Sequence, residues 1–192
     1  MPRPMTFHPD AVIQRAMFLF WARGYARTSV RDLVQGTEVL RGSLYHAFGD
    51  KRSLYIESLR RYAALAMGQL TDGWDHHAPP RANVRTVLMA IVDLPEAERR
   101  RGSMLCNCLV EVAPHDTEVS GVAVDILNEF KRYFQDAFEA GQRSGQLAAG
   151  ANPRALAHYL VSAIQGLCVT AQAGAPRAEL LDIVAVTLAA FG

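Results

Sequence analysis

Apolar residues recur every three or four positions along most of the chain, a spacing that is typical of amphipathic α-helices. A first helix is predicted over residues 9–23, ending at Gly24, because one stripe of this segment is apolar: Ile13, Ala16, Met17 and Phe20. The two-residue alternation of a half-buried strand is not found. The pattern therefore predicts an all-α protein with about nine helices.

Two short apolar periods lie within residues 28–51, separated by a turn at about residues 36–39. Hydroxyl side chains can cap the first helix, and its shared apolar face contains Val30, Leu33 and Val34. In the second helix Leu44 and Phe48 lie four apart and point inward. Two short helices joined by a tight turn make a helix-turn-helix, which is the motif that we predict here.

The second helix of this motif has an outward face opposite Leu44. That face carries a guanidinium, a phenol, an imidazole and a glycine that allows close approach. Such groups can donate to phosphate oxygens and base edges in a major groove about 12 Å wide. We expect double-stranded DNA to be contacted by Thr28, Ser29, Arg41, Gly42, Ser43, Tyr45, His46 and Lys51.

Charge is distributed unevenly along the chain. Residues 1–62 contain ten Lys and Arg against five Asp and Glu, whereas residues 63–192 contain ten against fourteen. A basic amino-terminal part suits electrostatic steering towards DNA. The sequence has no stretch of 18 or more apolar residues and no secretory signal, so we expect a cytoplasmic protein without a membrane segment.

Three spaced segments resemble the amino-terminal signature of the tetracycline-repressor (TetR) family. They are Phe-Trp-Ala-Arg-Gly-Tyr at 20–25, Thr-Ser-Val-Arg-Asp-Leu at 28–33 and Gly-Ser-Leu-Tyr-His-Ala-Phe-Gly-Asp-Lys at 42–51. Two positions depart from the family pattern: Glu38 replaces the usual glycine of the turn, and Leu40 replaces the usual Ser or Thr cap. A non-glycine residue with positive φ is uncommon, so mild strain is expected at this turn.

The resemblance implies a ligand-responsive transcriptional regulator, by default a homodimeric repressor of a palindromic operator. It implies that residues 1–50 bind DNA and that residues 51–192 bind an effector and dimerise. A small molecule entering the larger domain would move the fourth helix and lower operator affinity. In physical terms, that ligand must prefer the non-binding spacing of the two recognition helices.

Beyond residue 50, apolar spacing predicts six further helices at about residues 51–70, 83–94, 104–112, 117–141, 153–173 and 176–191. Residues 95–102 are polar, and a solvated connector is expected there. The last two helices are apolar around most of their circumference, which favours burial against a second copy. The expected dimer interface contains Leu156, Tyr159, Leu160, Leu180, Leu181, Val184 and Leu188.

Apolar, aromatic and thiol side chains of the larger part are candidates for an effector pocket. They are Leu70, Trp74, Leu88, Cys106, Val110, Phe130, Phe134, Ile164 and Cys168. Such a lining suits a small, largely apolar molecule, and the same residues also suit an ordinary core.

The three cysteines, at 106, 108 and 168, do not form a disulfide framework. Cys106 lies near the amino terminus of a helix that begins after Ser103, where the helix dipole lowers a thiol pKa. A repressor that senses electrophiles or oxidants through Cys106 is therefore an alternative, and an inert core thiol is the plainer interpretation. A further alternative is an enzyme that pairs a cysteine of this helix with His115. The proline break between that helix and His115 weakens this alternative.

Adjacent histidines at 76 and 77 point to different faces of a helix, which disfavours a shared metal ion. The sequence contains no glycine-rich phosphate loop and no nucleotide fingerprint. We therefore expect no metal, no cofactor and no enzymatic activity.

Overall fold

Ten α-helices and one 3-10 turn make up the part of the chain that the structure describes, residues 7–191 of a computed structural model. The predicted all-α fold class is confirmed. None of the helices described is long and apolar enough to cross a membrane. The elements are α1 (Pro9–Arg23), α2 (Val30–Thr37), α3 (Arg41–Phe48), α4 (Lys51–Asp72), α5 (Pro80–Val92), α6 (Glu96–Arg101), α7 (Met104–Glu111), the 3-10 turn (Ala113–His115), α8 (Thr117–Arg143), α9 (Pro153–Gln172) and α10 (Arg177–Ala189).

Helix α1 has the bounds that the sequence predicted. Pro9 is its first residue, and Gly24, with a φ of 80°, donates its N–H to the Phe20 carbonyl at the other end. Val12 rather than Ile13 completes the fully buried stripe, and Ile13 is only partly buried. This stripe packs on α4, so α1 is held against the first helix of the larger part.

A reciprocal capping box begins α2. The Ser29 hydroxyl accepts from the Asp32 N–H at 3.1 Å, and the Asp32 carboxylate accepts from the Ser29 N–H at 2.8 Å. Such a cap contributes about 1 kcal/mol to helix stability. The N-cap of α3 is Leu40, which makes no side-chain cap hydrogen bond. The start of α3 is therefore less firmly fixed than the start of α2.

The turn between α2 and α3 contains a strained residue. Glu38 has a φ of 59° and a ψ of 26°, the one non-glycine residue with positive φ between residues 7 and 191. The Arg15 guanidinium pairs with the Glu38 carboxylate and donates to the Thr37 carbonyl at 3.1 Å. The left-handed conformation expected here is present, and an ion pair from α1 supports it.

Residues 95–102 contain the short helix α6, so the expected loop conformation was wrong, although α6 has no buried residue. Its first turn is acidic and its last turn is basic, and this arrangement complements the helix dipole. Arg99 donates to the carbonyls of Val92 and Leu94 at 2.9 and 2.7 Å. These bonds attach α6 to the end of α5, and polarity alone could not reveal them.

Helix α8 carries the centre of the larger core. Phe130, Phe134 and Phe138 lie four apart on its buried face. Trp74 contacts the last two rings, with centroid distances of 5.7 and 5.9 Å. Full burial of a side chain of this size contributes roughly 1.5–3 kcal/mol. Helices α4 and α9 pack along α8, and α10 packs against α5 and α9.

Glycine and alanine at position 38 both remove the ion pair with Arg15, so the two variants isolate the backbone conformation. Alanine bears the steric cost of the left-handed region at a φ of 59°, and glycine does not. We expect Glu38→Gly to exceed Glu38→Ala by about 1 kcal/mol in the free energy of unfolding, measured by urea titration. A more stable alanine variant would contradict the left-handed turn.

Candidate functional site

The outward face of α3 is open to solvent. Arg41, Gly42, Ser43 and His46 are exposed, and Tyr45 is half-buried with its ring centroid 5.5 Å from the Arg41 guanidinium carbon. A Cβ added to Gly42 would have no heavy atom within 4 Å. The face thus offers hydrogen-bond donors around a point where another molecule can approach the helix backbone closely.

Two residues predicted to contact DNA have partners within the chain. Thr28 is fully buried, and its hydroxyl donates to the Gly24 carbonyl at 2.7 Å. The expectation of a surface contact at Thr28 is therefore corrected, because this side chain supports the loop between α1 and α2. The Lys51 ammonium lies 4.2 Å from the centroid of the Tyr25 ring, and partial burial lowers the pKa of Lys51.

Two exposed arginines that sequence analysis did not single out flank Ser29. Arg27 and Arg31 make no ion pair with any residue between 7 and 191, whereas Arg23 pairs with Asp32 at 2.8 Å. Their uncompensated charge adds to that of the exposed α3 face. Their position beside a helix cap in a basic segment could have identified them as candidate DNA contacts.

A carboxylate from α7 holds the loop between α1 and α2. Glu111 accepts from the backbone N–H groups of Tyr25 and Ala26 at 3.1 and 2.8 Å. Gly24 permits this approach, because a Cβ there would lie 2.8 Å from a Glu111 oxygen. We name this contact the Glu111 clamp. It connects the segment that precedes α2 directly to the larger part.

A second polar connection joins the start of α4 to the start of α8. Arg52 donates two hydrogen bonds to the Asp116 carboxylate, at 2.5 and 2.8 Å, and its Nη1 lies 2.8 Å from Glu118. The Arg52 side chain, followed by the Val119 N–H, lowers the pKa of Asp116 to about 2. Asp116 also caps α8 and stays ionised at neutral pH. One carboxylate therefore fixes a helix start and its link to α4.

A cavity of about 460 Å³ lies between α1 and the helices α4 to α9. This volume is within the range of small-molecule sites, and the lining is mainly apolar. Phe18, Leu65 and Leu94 line it and are also exposed, which places its opening between α1, α4 and the end of α5. Six residues predicted for the pocket line this cavity: Leu70, Cys106, Phe130, Phe134, Ile164 and Cys168.

The other three predicted pocket residues lie elsewhere, and those predictions were wrong. Trp74 belongs to the aromatic core beside Phe134 and Phe138. Leu88 is buried on the core face of α5, and Val110 is 79% exposed on the last turn of α7. All three were predicted to line the pocket because they are apolar. Apolar character does not distinguish a core residue from a cavity wall or a surface position.

Helix α1 forms part of the cavity wall, which the sequence analysis did not anticipate. Met17, Phe18 and Trp21 line the cavity, and the Trp21 Nε1–H donates to the Gly102 carbonyl at 2.8 Å. A signal was present, because Phe18 and Trp21 lie three apart and form a second apolar pair beside the buried stripe. One helix therefore packs beneath the helix-turn-helix and also borders the cavity.

The three thiols are not activated. Burial raises the pKa of Cys106 and of Cys108, and it raises the pKa of Cys168 to about 12. The raised pKa of Cys106 agrees with the inert core thiol and disagrees with the alternative of a reactive thiolate. Ser103 does cap α7 and accepts from the Cys106 N–H at 3.3 Å, but desolvation outweighs the effect of the helix terminus.

The last two helices bury one apolar side inside the chain and expose another. Of the residues predicted for a dimer interface, Leu156 and Leu181 are partly buried and Tyr159 is 42% exposed. The rest were assigned to the wrong side, because they belong to the chain's own core: Leu160, Leu180, Val184 and Leu188. The exposed residues include small or apolar ones, namely Ala155, Tyr159, Ser162, Gly166 and Val169 on α9 and Ala178, Ala185, Val186 and Ala189 on α10, and also charged or polar ones, namely Arg154, His158, Arg177, Glu179 and Asp182.

Two family profiles match the chain. The profile "Bacterial regulatory proteins, tetR family" matches residues 12–57, and the profile "BetI-type transcriptional repressor, C-terminal" matches residues 80–191. The chain belongs to the TetR family of transcriptional regulators. As a TetR-family protein it is a transcriptional regulator and not an enzyme, which removes the cysteine-dependent alternative.

Relatives within the TetR family span nearly the whole chain. It is 27% identical over 194 residues to the HTH-type transcriptional repressor ComR of Escherichia coli (strain K12), covering 97% of this chain and 90% of ComR. It is also 27% identical to the uncharacterized HTH-type transcriptional regulator YezE of Bacillus subtilis (strain 168), covering 98% of both. A cysteine-substituted form of the TetR family regulator CifR, solved with a 26-base-pair double-strand operator, has a TM-score of 0.84 and 31% identity, covering 99% of this chain and 100% of that one.

The Glu111 clamp of this TetR-family protein can be tested by alanine at Gly24. Gly24 has a φ of 80°, and a Cβ there would lie against the Glu111 carboxylate. Because Gly24 also has a ψ of 167°, which only glycine adopts readily, its substitution is compared in two backgrounds. We expect Gly24→Ala to lower the free energy of unfolding by about 3 kcal/mol in the parent and by about 1 kcal/mol less in the Glu111→Ala protein, where the new methyl group meets no carboxylate. Equal losses in the two backgrounds in urea unfolding would show that Glu111 does not approach Gly24 this closely.

Proposed function

We propose that this chain is a homodimeric repressor that binds a palindromic operator in double-stranded DNA, and that a small molecule in the cavity releases it. The observation that carries the proposal is the exposed face of α3, where Arg41, Tyr45 and His46 surround the open point at Gly42. The operator complex of CifR supports the same use of this fold. Such a protein acts in the cytoplasm, where its DNA lies.

The proposed DNA contacts divide into base readout and phosphate binding. Arg41, Tyr45 and His46 face outward on α3 and read base edges, with Gly42 allowing the helix to enter the major groove. Phosphates are bound by exposed groups around them, which supply charge without sequence information. The exposed groups are Arg27, Ser29, Arg31 and Ser43, and the partly buried Lys51 is the fifth proposed phosphate contact.

The proposed effector site is the cavity, with residues 1–50 as the DNA-reading part and residues 51–192 as the sensing and dimerising part. Its walls include α4, which follows the reading helix, and α1, which supports it. A ligand that fits the cavity better in one spacing of the two reading heads shifts the protein towards that spacing. Release from the operator follows when the favoured spacing differs from that of the two half-sites, which is about one helical turn, 34–36 Å, or somewhat more.

The proposed dimer forms through the exposed sides of α9 and α10. Their small side chains allow two helix pairs to pack closely into a four-helix arrangement. Gly166 has no heavy atom within 4 Å of a built Cβ, and Val169 and Val186 are exposed apolar residues on the same two helices. Burial of this surface against a second copy would remove apolar area from water.

Gly42 and Gly121 give a matched test of the reading face. Both are exposed helical glycines with no heavy atom within 4 Å of a built Cβ, so alanine at either site stabilises its helix by about 0.5–1 kcal/mol. We expect Gly42→Ala to weaken operator binding at least tenfold, because its new methyl group meets DNA, and Gly121→Ala to leave binding unchanged. The measurement is a gel shift on the DNA upstream of the gene at fixed salt. Equal affinities of the two variants would contradict the proposed reading face.

The dimer interface is tested by glutamate at two exposed valines. Val169 lies on the proposed interface at 52% exposure, and Val110 lies on α7 at 79% exposure. We expect Val169→Glu to sediment as a monomer and to lose operator affinity, because a buried unpaired charge opposes association. The control Val110→Glu should remain a dimer. A parent protein that sediments as a monomer would overturn this part of the proposal.

A further inference from the structure

The Arg101 side chain on the cavity wall makes neither an ion pair nor a hydrogen bond with any residue between 7 and 191. Arg101 lines the cavity, and its guanidinium carbon lies 4.9 Å from the centroid of the Trp21 ring. No carboxylate among residues 7–191 forms an ion pair with it, although the neighbouring Arg100 pairs with Glu96 at 3.1 Å. Arg101 is therefore a cation between an aromatic ring and an apolar cavity.

The other two charged residues on the wall are differently placed. Arg99 directs Nη1 to the carbonyls of Val92 and Leu94, so part of its guanidinium is already used. Glu98 is exposed, and no ion pair joins it to another residue between 7 and 191. Arg101 is thus the guanidinium on this wall whose N–H groups are all left for a ligand, and the nearby Glu98 carboxylate is exposed to solvent.

A partly desolvated guanidinium is stabilised only modestly by an aromatic face, by about 0.5–2 kcal/mol. A carboxylate is a stronger partner, because it accepts two parallel hydrogen bonds from the guanidinium fork. The rest of the wall is mainly rings and aliphatic groups, including Phe130 and Phe134, with Gln69 and Gln165 as its amide side chains. The matching ligand therefore has one anionic end and an apolar body.

We propose that the cavity binds an apolar monocarboxylate, with its carboxylate on Arg101 and its apolar body towards α8 and α9. This inference rests on the proposed function, since it names the chemical class of the effector. The cavity of about 460 Å³ equals the space of roughly fifteen water molecules at about 30 Å³ each, so the ligand has on the order of 10–15 non-hydrogen atoms. The exposed apolar residues at the opening admit such a body.

The same contact gives the ligand a route to the reading head. Trp21 belongs to α1, and it is held both by the Arg101 guanidinium and by the Gly102 carbonyl at 2.8 Å. A ligand carboxylate would take the N–H edge of the Arg101 guanidinium, which lies over the Trp21 ring. The bound anion and α1 would then contact the same side chain, and α4 need not be displaced first.

Three probes of one shape test the class: 4-phenylbutyrate, 4-phenylbutan-1-ol and 4-phenylbutylamine. They share an apolar body and differ in the charge of one end. The Trp74→Phe protein leaves Trp21 as the single tryptophan, so quenching of its fluorescence reports binding at the cavity wall. We expect the acid to bind at least tenfold more tightly than the alcohol, and the amine to bind most weakly.

Arg101→Met and Arg101→Lys, each made in the Trp74→Phe protein, separate charge from shape. Methionine keeps an unbranched stem without charge, so the acid should lose its preference and bind like the alcohol. Lysine keeps the charge without the fork and should retain a smaller preference. Thermal melting checks that each variant folds, and Ala66→Phe, which fills the cavity, should abolish quenching by the acid.

These measurements test the monocarboxylate class and the effector role separately. An alcohol or amine that binds as tightly as the acid, an Arg101→Met protein that keeps the preference, or a failure of all three probes to bind would overturn the monocarboxylate class. The class stands, and the proposed effector role fails, when the acid binds through Arg101 but does not release the parent protein from operator DNA in a gel shift.

Discussion

The Glu111 carboxylate satisfies the N–H groups of Tyr25 and Ala26, and this contact adds α7 to the packing of α1 on α4 that seats the helix-turn-helix on the larger part. Backbone donors in a packed loop need partners, and here the partner comes from another part of the chain. Gly24 leaves room for it, and Thr28 closes the same loop by donating to the Gly24 carbonyl. Helix α7 borders the cavity at its first turn and ends on this loop, so it is a short rigid connection between the two.

Helix α1 has a related double role. Phe20 faces the packed centre beneath the helix-turn-helix, whereas Trp21 and Phe18 face the cavity. The family resemblance implied a route through the fourth helix, and in this chain α1 and α7 border the same space. A ligand in the cavity would therefore touch three helices that lead to the reading head. Division of the chain at residue 50 describes its sequence well but separates groups that are in contact.

The sequence was sufficient where a local rule decides the structure. Pro9 and Gly24 set the ends of α1, and the spacing of Leu44 and Phe48 set the outward face of α3. It was insufficient where tertiary contacts decide, as in α6, whose docking depends on hydrogen bonds from Arg99. Burial was the harder property to predict. Two-sided apolar helices do not reveal which side meets the chain's own core, so Leu160 and its neighbours were assigned to the wrong side. For Cys106 the sequence left a reactive and an inert thiol open, and the burial of this side chain favours the inert one.

The ion pair at the turn has a consequence for how ionic strength acts on this protein. Arg15 and Glu38 are 50% and 74% exposed, so dissolved ions screen the attraction that steadies a left-handed residue between the two short helices. Counterion release from DNA has its own dependence on salt concentration. Two processes, one inside the protein and one at the duplex, then contribute to the same slope. The slope of log affinity against log salt concentration therefore reports the screening of this ion pair as well as the number of phosphates contacted.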